Sequence, residues 1–179
     1  MRNWKLVAII VVVILALITS FITTSMLARN HAYNLEEQIN VAQSNINVQQ
    51  KRRADLIPNL VECVKAYDKH EYDTLIAIVN ARKVDEQTVN DIQMAIAAIA
   101  EAYPELQSST NYRELMNELS ITENLIANYR SNYNSQVRRY KNYVRRFPYT
   151  FLLSLTGYEK LDYNYLMFEN TENAPTLEF

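Results

Sequence analysis

Glycine is almost missing from this 179-residue chain: Gly157 is the sole example, and only four prolines accompany it. So few turn residues exclude a fold of many short strands, and one glycine cannot build a phosphate-cradling loop. Cysteine is equally scarce. Cys63 alone cannot form an intramolecular disulfide, and its place in an apolar run suggests packing. The two histidines, His31 and His70, lie far apart, and neither has a second histidine at i+4, so the spacing of a helical zinc site is lacking. A net charge of −2 provides no overall field to draw in nucleic acid. What remains is rich in Leu, Ile, Ala, Glu, Gln, Arg and Lys, residues that favour helix. Thirteen tyrosines against five phenylalanines point to half-wet seams, where a ring packs while its hydroxyl finds a polar partner.

One long apolar stretch stands out. No charge interrupts Leu6 to Ala28, 23 residues that as a helix reach roughly 34 Å, enough to cross a bilayer's hydrocarbon core with some tilt. Its only polar groups are serine and threonine hydroxyls, which can bond back to carbonyls one turn earlier. Trp4 sits where an interfacial aromatic belongs. A cleaved signal peptide shares the basic start, but no A-x-A-like site follows; Thr23-Thr24-Ser25 is a poor substitute, so the segment is expected to remain as an anchor. Arg2, Lys5 and the amino terminus, set against Arg29 beyond the span, tip the remainder slightly toward the extracytoplasmic side.

Beyond the span the positions of a helical seam alternate by four and three, Leu35, Ile39, Ala42, Ile46, Gln49, Arg53, Leu56, Leu60, Cys63, Tyr67, with Gln49 and Arg53 interrupting an otherwise mostly apolar stripe. This stripe predicts a first helical arm from about Tyr33 to Arg82, kinked at Pro58, which cannot donate to the Ala54 carbonyl. A second helix carries Val89, Ile92, Ile96, Ile99 and Tyr103, and Pro104 marks its end. A third starts at a capping-box-like Asn111 with Glu114 and carries Tyr112, Leu115, Leu119, Thr122, Ile126, Tyr129, Tyr133, Gln136, Tyr140, Tyr143 and Phe147 before Pro148. At about 37 residues it would be roughly 55 Å long. The short apolar segment Tyr149 to Leu155 cannot span a bilayer, and Gly157 bends the chain into an aromatic, acidic last segment. The expected fold is all-α: an elongated antiparallel bundle of about four helical segments behind one transmembrane helix. Its divisions are a flank (1–5), the transmembrane helix (6–28), the bundle (29–168) and an extended tail (169–179).

Three ordered blocks give this pattern a family likeness. Ser44 to Val61 contains Lys51-Arg52-Arg53 followed by Asp55-Leu56-Ile57-Pro58-Asn59-Leu60. Ala100 to Leu106 contains Ala102-Tyr103-Pro104. Glu118 to Ala127 continues to Tyr133-Asn134 and Phe147-Pro148. Together they resemble the LemA family over nearly everything beyond the span. The resemblance implies a bacterial membrane-anchored helical bundle, no established catalytic activity and no active site to carry over. Ala42-Gln43 stands where the family often has Ala-Trp, and Leu125 where it often has arginine.

Arg53 sits on a buried stripe, where a charge costs several kcal/mol unless paired, so a structural ion pair with Glu123 is expected; the alternative is that Arg53 snorkels from the stripe's edge. Arg138, Arg139, Lys141, Arg145 and Arg146, interleaved with Tyr140 and Tyr143, form a basic run suited to an anionic lipid surface or an acidic protein partner; nucleic acid is disfavoured. The bland alternative is that these cations offset the helix dipole, or that Glu159, Asp162, Glu169, Glu172 and Glu178 fold back on them. His70 with Glu71 or Asp73 is at best a weak metal site. The function expected is a non-catalytic interaction or scaffold protein tethered to the bacterial cytoplasmic membrane, without catalytic residues, cofactor or metal, and with room for homo-oligomerisation. The competing expectation is an accessory protein or unrecognised hydrolase with its site near Asp68 to Asp73.

Overall fold

A computed structural model describes residues 2–81 and 86–167, and every regular element among them is a helix. The order is α1 (Arg2–Val64), α2 (Lys69–Ala81), α3 (Glu86–Ala102), α4 (Pro104–Ser108), α5 (Thr110–Arg145) and α6 (Tyr149–Leu155). The tail assigned to 169–179 lies outside the described residues. The chain divides into two compact units, 1–42 with 132–179, and 43–131; α1 and α5 contribute to both.

In the first unit α1 changes character along its length. Every residue from Trp4 to Thr24 is exposed, whereas Ser25, Ala28, Ala32, Leu35, Ile39 and Ala42 form a buried stripe. Within the apolar length the hydroxyls of Thr19, Thr23, Thr24 and Ser25 donate to carbonyls four residues back at 2.7–2.9 Å, so none needs water. The buried partners on α5 are Tyr133, Val137, Tyr140 and Val144. Small side chains on α1 leave room for large ones on α5, which keeps the seam filled. Phe147 was expected to extend that seam but is 77% exposed: α5 ends at Arg145 and a cis Phe147–Pro148 peptide leads into α6.

α6 buries Leu152 and Leu153 and closes with Gly157 at φ 65°. The Gly157 amide donates to the Ser154 carbonyl at 3.3 Å and the Tyr158 amide to the Leu153 carbonyl at 3.1 Å, the paired bonds of a Schellman ending. Residues 158–167 then run back along the unit without regular structure. Asn134 holds this strap like a missing strand, donating from Nδ2 to the Leu166 carbonyl and accepting the Leu166 amide at Oδ1, both at 2.8 Å. The buried Tyr140 hydroxyl accepts the Leu161 amide at 2.9 Å, and the Tyr163 ring meets Tyr140 edge-on with centroids 5.3 Å apart.

In the second unit the stripe on α1 widens. Ile57, Leu60, Val61 and Val64 are all fully buried, because further helices pack there: Leu75 from α2, Val89, Ile92, Ile96, Ile99 and Ala100 from α3, Leu106 from α4, and Tyr112 and Leu119 from α5 join one core. α1 passes through Pro58 without ending. The expected first arm to Arg82 is instead two helices, broken at Lys65 to Asp68. Asp68 Oδ1 accepts the Glu71 amide at 3.0 Å, and a side chain that satisfies the next helix's first turn competes with continuation of the last one. Pro104 starts α4 at its first turn, where proline's absent N–H costs nothing. α5 is capped by Ser109, whose Oγ accepts the Tyr112 amide at 3.3 Å; Asn111, the expected cap, lies already inside the helix.

Candidate functional site

Arg53 projects from α1 into the second unit and is 8% exposed. One guanidinium nitrogen, Nη2, donates to Glu123 Oε1 on α5 at 3.2 Å and to Asn90 Oδ1 on α3. Three helices thus converge on one cation, next to the fully buried Thr122, whose hydroxyl donates to the Glu118 carbonyl at 2.8 Å. Arg53 Nε and Gln49 Oε1, both buried, have no hydrogen-bond partner. The neighbouring Arg52 pairs with Glu118 nearer solvent. Asn90 escaped the sequence reading, since a half-buried amide beside seam residue Val89 looks like any flank position.

The acidic turn at Asp68 to Asp73 is used for structure. Besides capping α2, Asp68 accepts the Tyr103 hydroxyl at 3.2 Å, and the Glu71 amide, with those partners, holds its carboxyl below the usual carboxylate range. His70 and Asp73 are exposed, and among the described residues no three His, Cys, Asp or Glu side chains converge as metal ligands. The Asp-x-x-Glu spacing from Asp68 to Glu71 was the overlooked signal of a helix start.

Cys63 borders a groove of about 650 Å3 between α1 (Asn59, Glu62, Cys63) and α5 (Asn111, Glu114, Glu118). Burial first, then the nearby Glu62 charge, pushes its thiol up, which disfavours the thiolate a nucleophile needs. Glu62 is engaged by the Tyr72 hydroxyl, which donates at 2.6 Å, and by Lys65 at 3.3 Å.

In the first unit the basic run separates into two kinds of residue. Lys141, with a side chain only 17% exposed, faces Asp162 at 3.4 Å and lies over the Tyr165 ring, so the strap folds back on it. Arg138, Arg139, Arg145 and Arg146 are exposed, and no carboxylate among the described residues pairs with them. Of the interleaved tyrosines, Tyr140 is fully buried. Tyr143 donates to the Ala28 carbonyl at 3.0 Å, meets His31 edge-on at 4.6 Å and lies against Tyr149 at 4.4 Å. Tyr158 donates to Glu36 and lies 3.1 Å from the Tyr140 hydroxyl; burial, then these bonds, raise it far above an ordinary phenol.

Residues 42–179 match the LemA family. Magnetosome protein MamQ of Magnetospirillum gryphiswaldense is 23% identical over 184 aligned positions, covering 82% of this chain and 68% of that protein. Magnetosome proteins MamQ 1 and MamQ 2 of Paramagnetospirillum magneticum are each 31% identical over 68 positions, covering 38% of this chain and a quarter (25%) of theirs. With its three sequence blocks set on α1, α3 to α4 and α5, and with the family match spanning most of its length, this chain belongs to the LemA family.

Proposed function

We propose that the chain is a non-catalytic interaction module anchored by α1 in the bacterial cytoplasmic membrane, with its helical units on the extracytoplasmic side. The observation that carries this reading is the change of face along α1. One uninterrupted helix is apolar and exposed all round through Thr24, with a mean hydropathy of 3.0 over its most apolar 18-residue window, and then buries a single stripe from Ser25 onward. An all-round apolar exterior needs lipid around it, and a stripe needs only neighbouring helices. The anchor therefore has no flexible joint before the first unit begins.

The polar layer around Arg53 serves to set the register of α1, α3 and α5, as buried polar groups do where alternatives would leave them unpaired. Partners are met by exposed surface, chiefly Arg138, Arg139, Arg145 and Arg146 and the groove beside Cys63.

Membrane fractions and photo-crosslinking test this. Sodium carbonate should leave the full-length chain in the membrane, and crosslinkers at Asn59 and Glu114 should capture discrete protein adducts that persist in His70→Ala. Release of the full-length chain by carbonate would end the anchor reading. A hydrolytic activity abolished by His70→Ala would replace the interaction module with the hydrolase alternative at Asp68 to Asp73.

A further inference from the structure

The first unit ends in an apolar surface that no part of the bundle uses. Phe147 is 77% exposed, Phe151 51% and Leu155 56%. Phe151 and Leu155 lie one turn apart on α6, and Phe147 stands exposed just before the helix; Leu152 and Leu153 fill the opposite, buried side. The helix therefore carries apolar side chains on two faces and turns one of them outward, unlike an amphipathic surface helix in water, whose outer face is polar. Arg145 and Arg146, exposed and unpaired among the described residues, immediately precede it.

The position of α6 says what covers that face. Tyr149, its first residue, stacks on Tyr143, and Tyr143 donates to the carbonyl of Ala28, the last residue of the apolar span. Burial on α1 starts still earlier, at Ser25, while its neighbours Met26 and Leu27 remain 61% and 63% exposed. The start of α6 thus lies level with the end of the span, where the helix leaves lipid. The geometry points to the start of α6 as an interfacial foot: Phe147 and Phe151 enter the bilayer leaflet from which α1 emerges, while Arg145 and Arg146 take anionic lipid phosphates. Leu155 stands farther out, because Tyr158, three residues on, is held by Glu36 and against Tyr33, beyond the end of the span. Apolar side chains at this depth replace headgroup water with acyl chain, and arginines beside them pair with the phosphates of anionic lipids. With α1 as the post and the start of α6 as the foot, the first unit is held in one orientation on the membrane instead of spinning about a single helix.

This inference rests on α1 being inserted, so the test reports on both. The full chain, with Trp4→Phe removing its one tryptophan, is reconstituted at one copy per nanodisc made from phosphatidylcholine and phosphatidylglycerol. A single tryptophan is then placed at Leu15→Trp or at Phe151→Trp, and its emission is compared with and without bromine on the acyl chains. Both reporters should be quenched, the one at position 151 about two-fold if its ring lies ~5–10 Å into the boundary. Arg145→Gln with Arg146→Gln should weaken quenching at position 151 and leave position 15 unchanged. Quenching at 15 with none at 151 overturns the foot and leaves the anchor standing, including the case where emission at 151 is blue-shifted because another part of the chain covers it. No quenching at either position overturns the anchor and the foot together. Indifference to the arginine substitutions would overturn the phosphate contact.

Discussion

Replacing Glu123 with glutamine should destabilise the second unit more than removing Arg53 altogether. The inequality follows from where the two charges sit: the Arg53 side chain is 10% exposed, the Glu123 side chain 38%. Stripping the partner from a fully buried charge typically costs about 3–5 kcal/mol. Glu123→Gln leaves the guanidinium buried, but Asn90 still accepts from the same nitrogen and the substituted amide still offers an oxygen, and solvent screens the lost charge. The expected loss falls to ~1–2 kcal/mol. Arg53→Met removes the buried cation together with its unbonded Nε, fills the volume with apolar atoms and frees Glu123 to hydrate. A loss of under ~1 kcal/mol is expected, because replacing a buried ionic group by a well-packed apolar one is often close to neutral. Once Arg53 is gone, Glu123→Gln should cost nothing further, so the double variant should melt with Arg53→Met. Thermal unfolding of the full chain in detergent, followed by circular dichroism, measures all four states of the cycle. A Glu123→Gln loss of the same size in both backgrounds would show that the two residues are not coupled, and the register role of Arg53 would fall with it.

Asp68→Ala should expose the amides of the first turn of α2, seen as faster hydrogen exchange at Glu71. Because the folded-state carboxyl titrates below its ordinary range, its stabilising effect is complete at neutral pH and is lost as acidification approaches that lowered value; acid should therefore reproduce the variant. Gly157→Ala meets no atom within 4 Å, so its cost of about 1–2 kcal/mol is purely that of φ 65° for an L side chain. Loosened protection should appear in the strap from Tyr158 to Leu166, and unchanged protection there would show that the Schellman ending does not position it.

What could be read in the chain was whatever depends on neighbours in sequence. Helix period, the charge-free span and proline placement are local properties, so the all-α class, the α3 stripe and the long apolar N-terminal helix were legible from residue spacing alone. The stripe also marked Arg53 as a charge in need of a partner, since desolvation is costly wherever the charge is buried. Boundaries set by competing local bonds were less legible. Asp68 and Asn111 both open plausible capping patterns, yet only Asp68 caps, because Ser109 reaches the α5 amides first.

Contacts across tens of residues were decided by the tertiary structure. Asn90 joins Arg53 because α3 packs where the α1 stripe widens, and Asn134 becomes a clamp because the strap returns along α5 to Leu166. Phe147 is the sharpest case. Periodicity assigns it to the seam, but the end of α5 at Arg145 takes it off that helix, and a side chain one turn beyond the last buried residue has nothing to pack against. Sequence alone determined that this chain is helical and carries one lipid-length apolar segment. Which apolar residues the bundle covers, and which it leaves outside beside Ala28, depends on where α5 stops and α6 turns, and those are set by packing between segments more than a hundred residues apart.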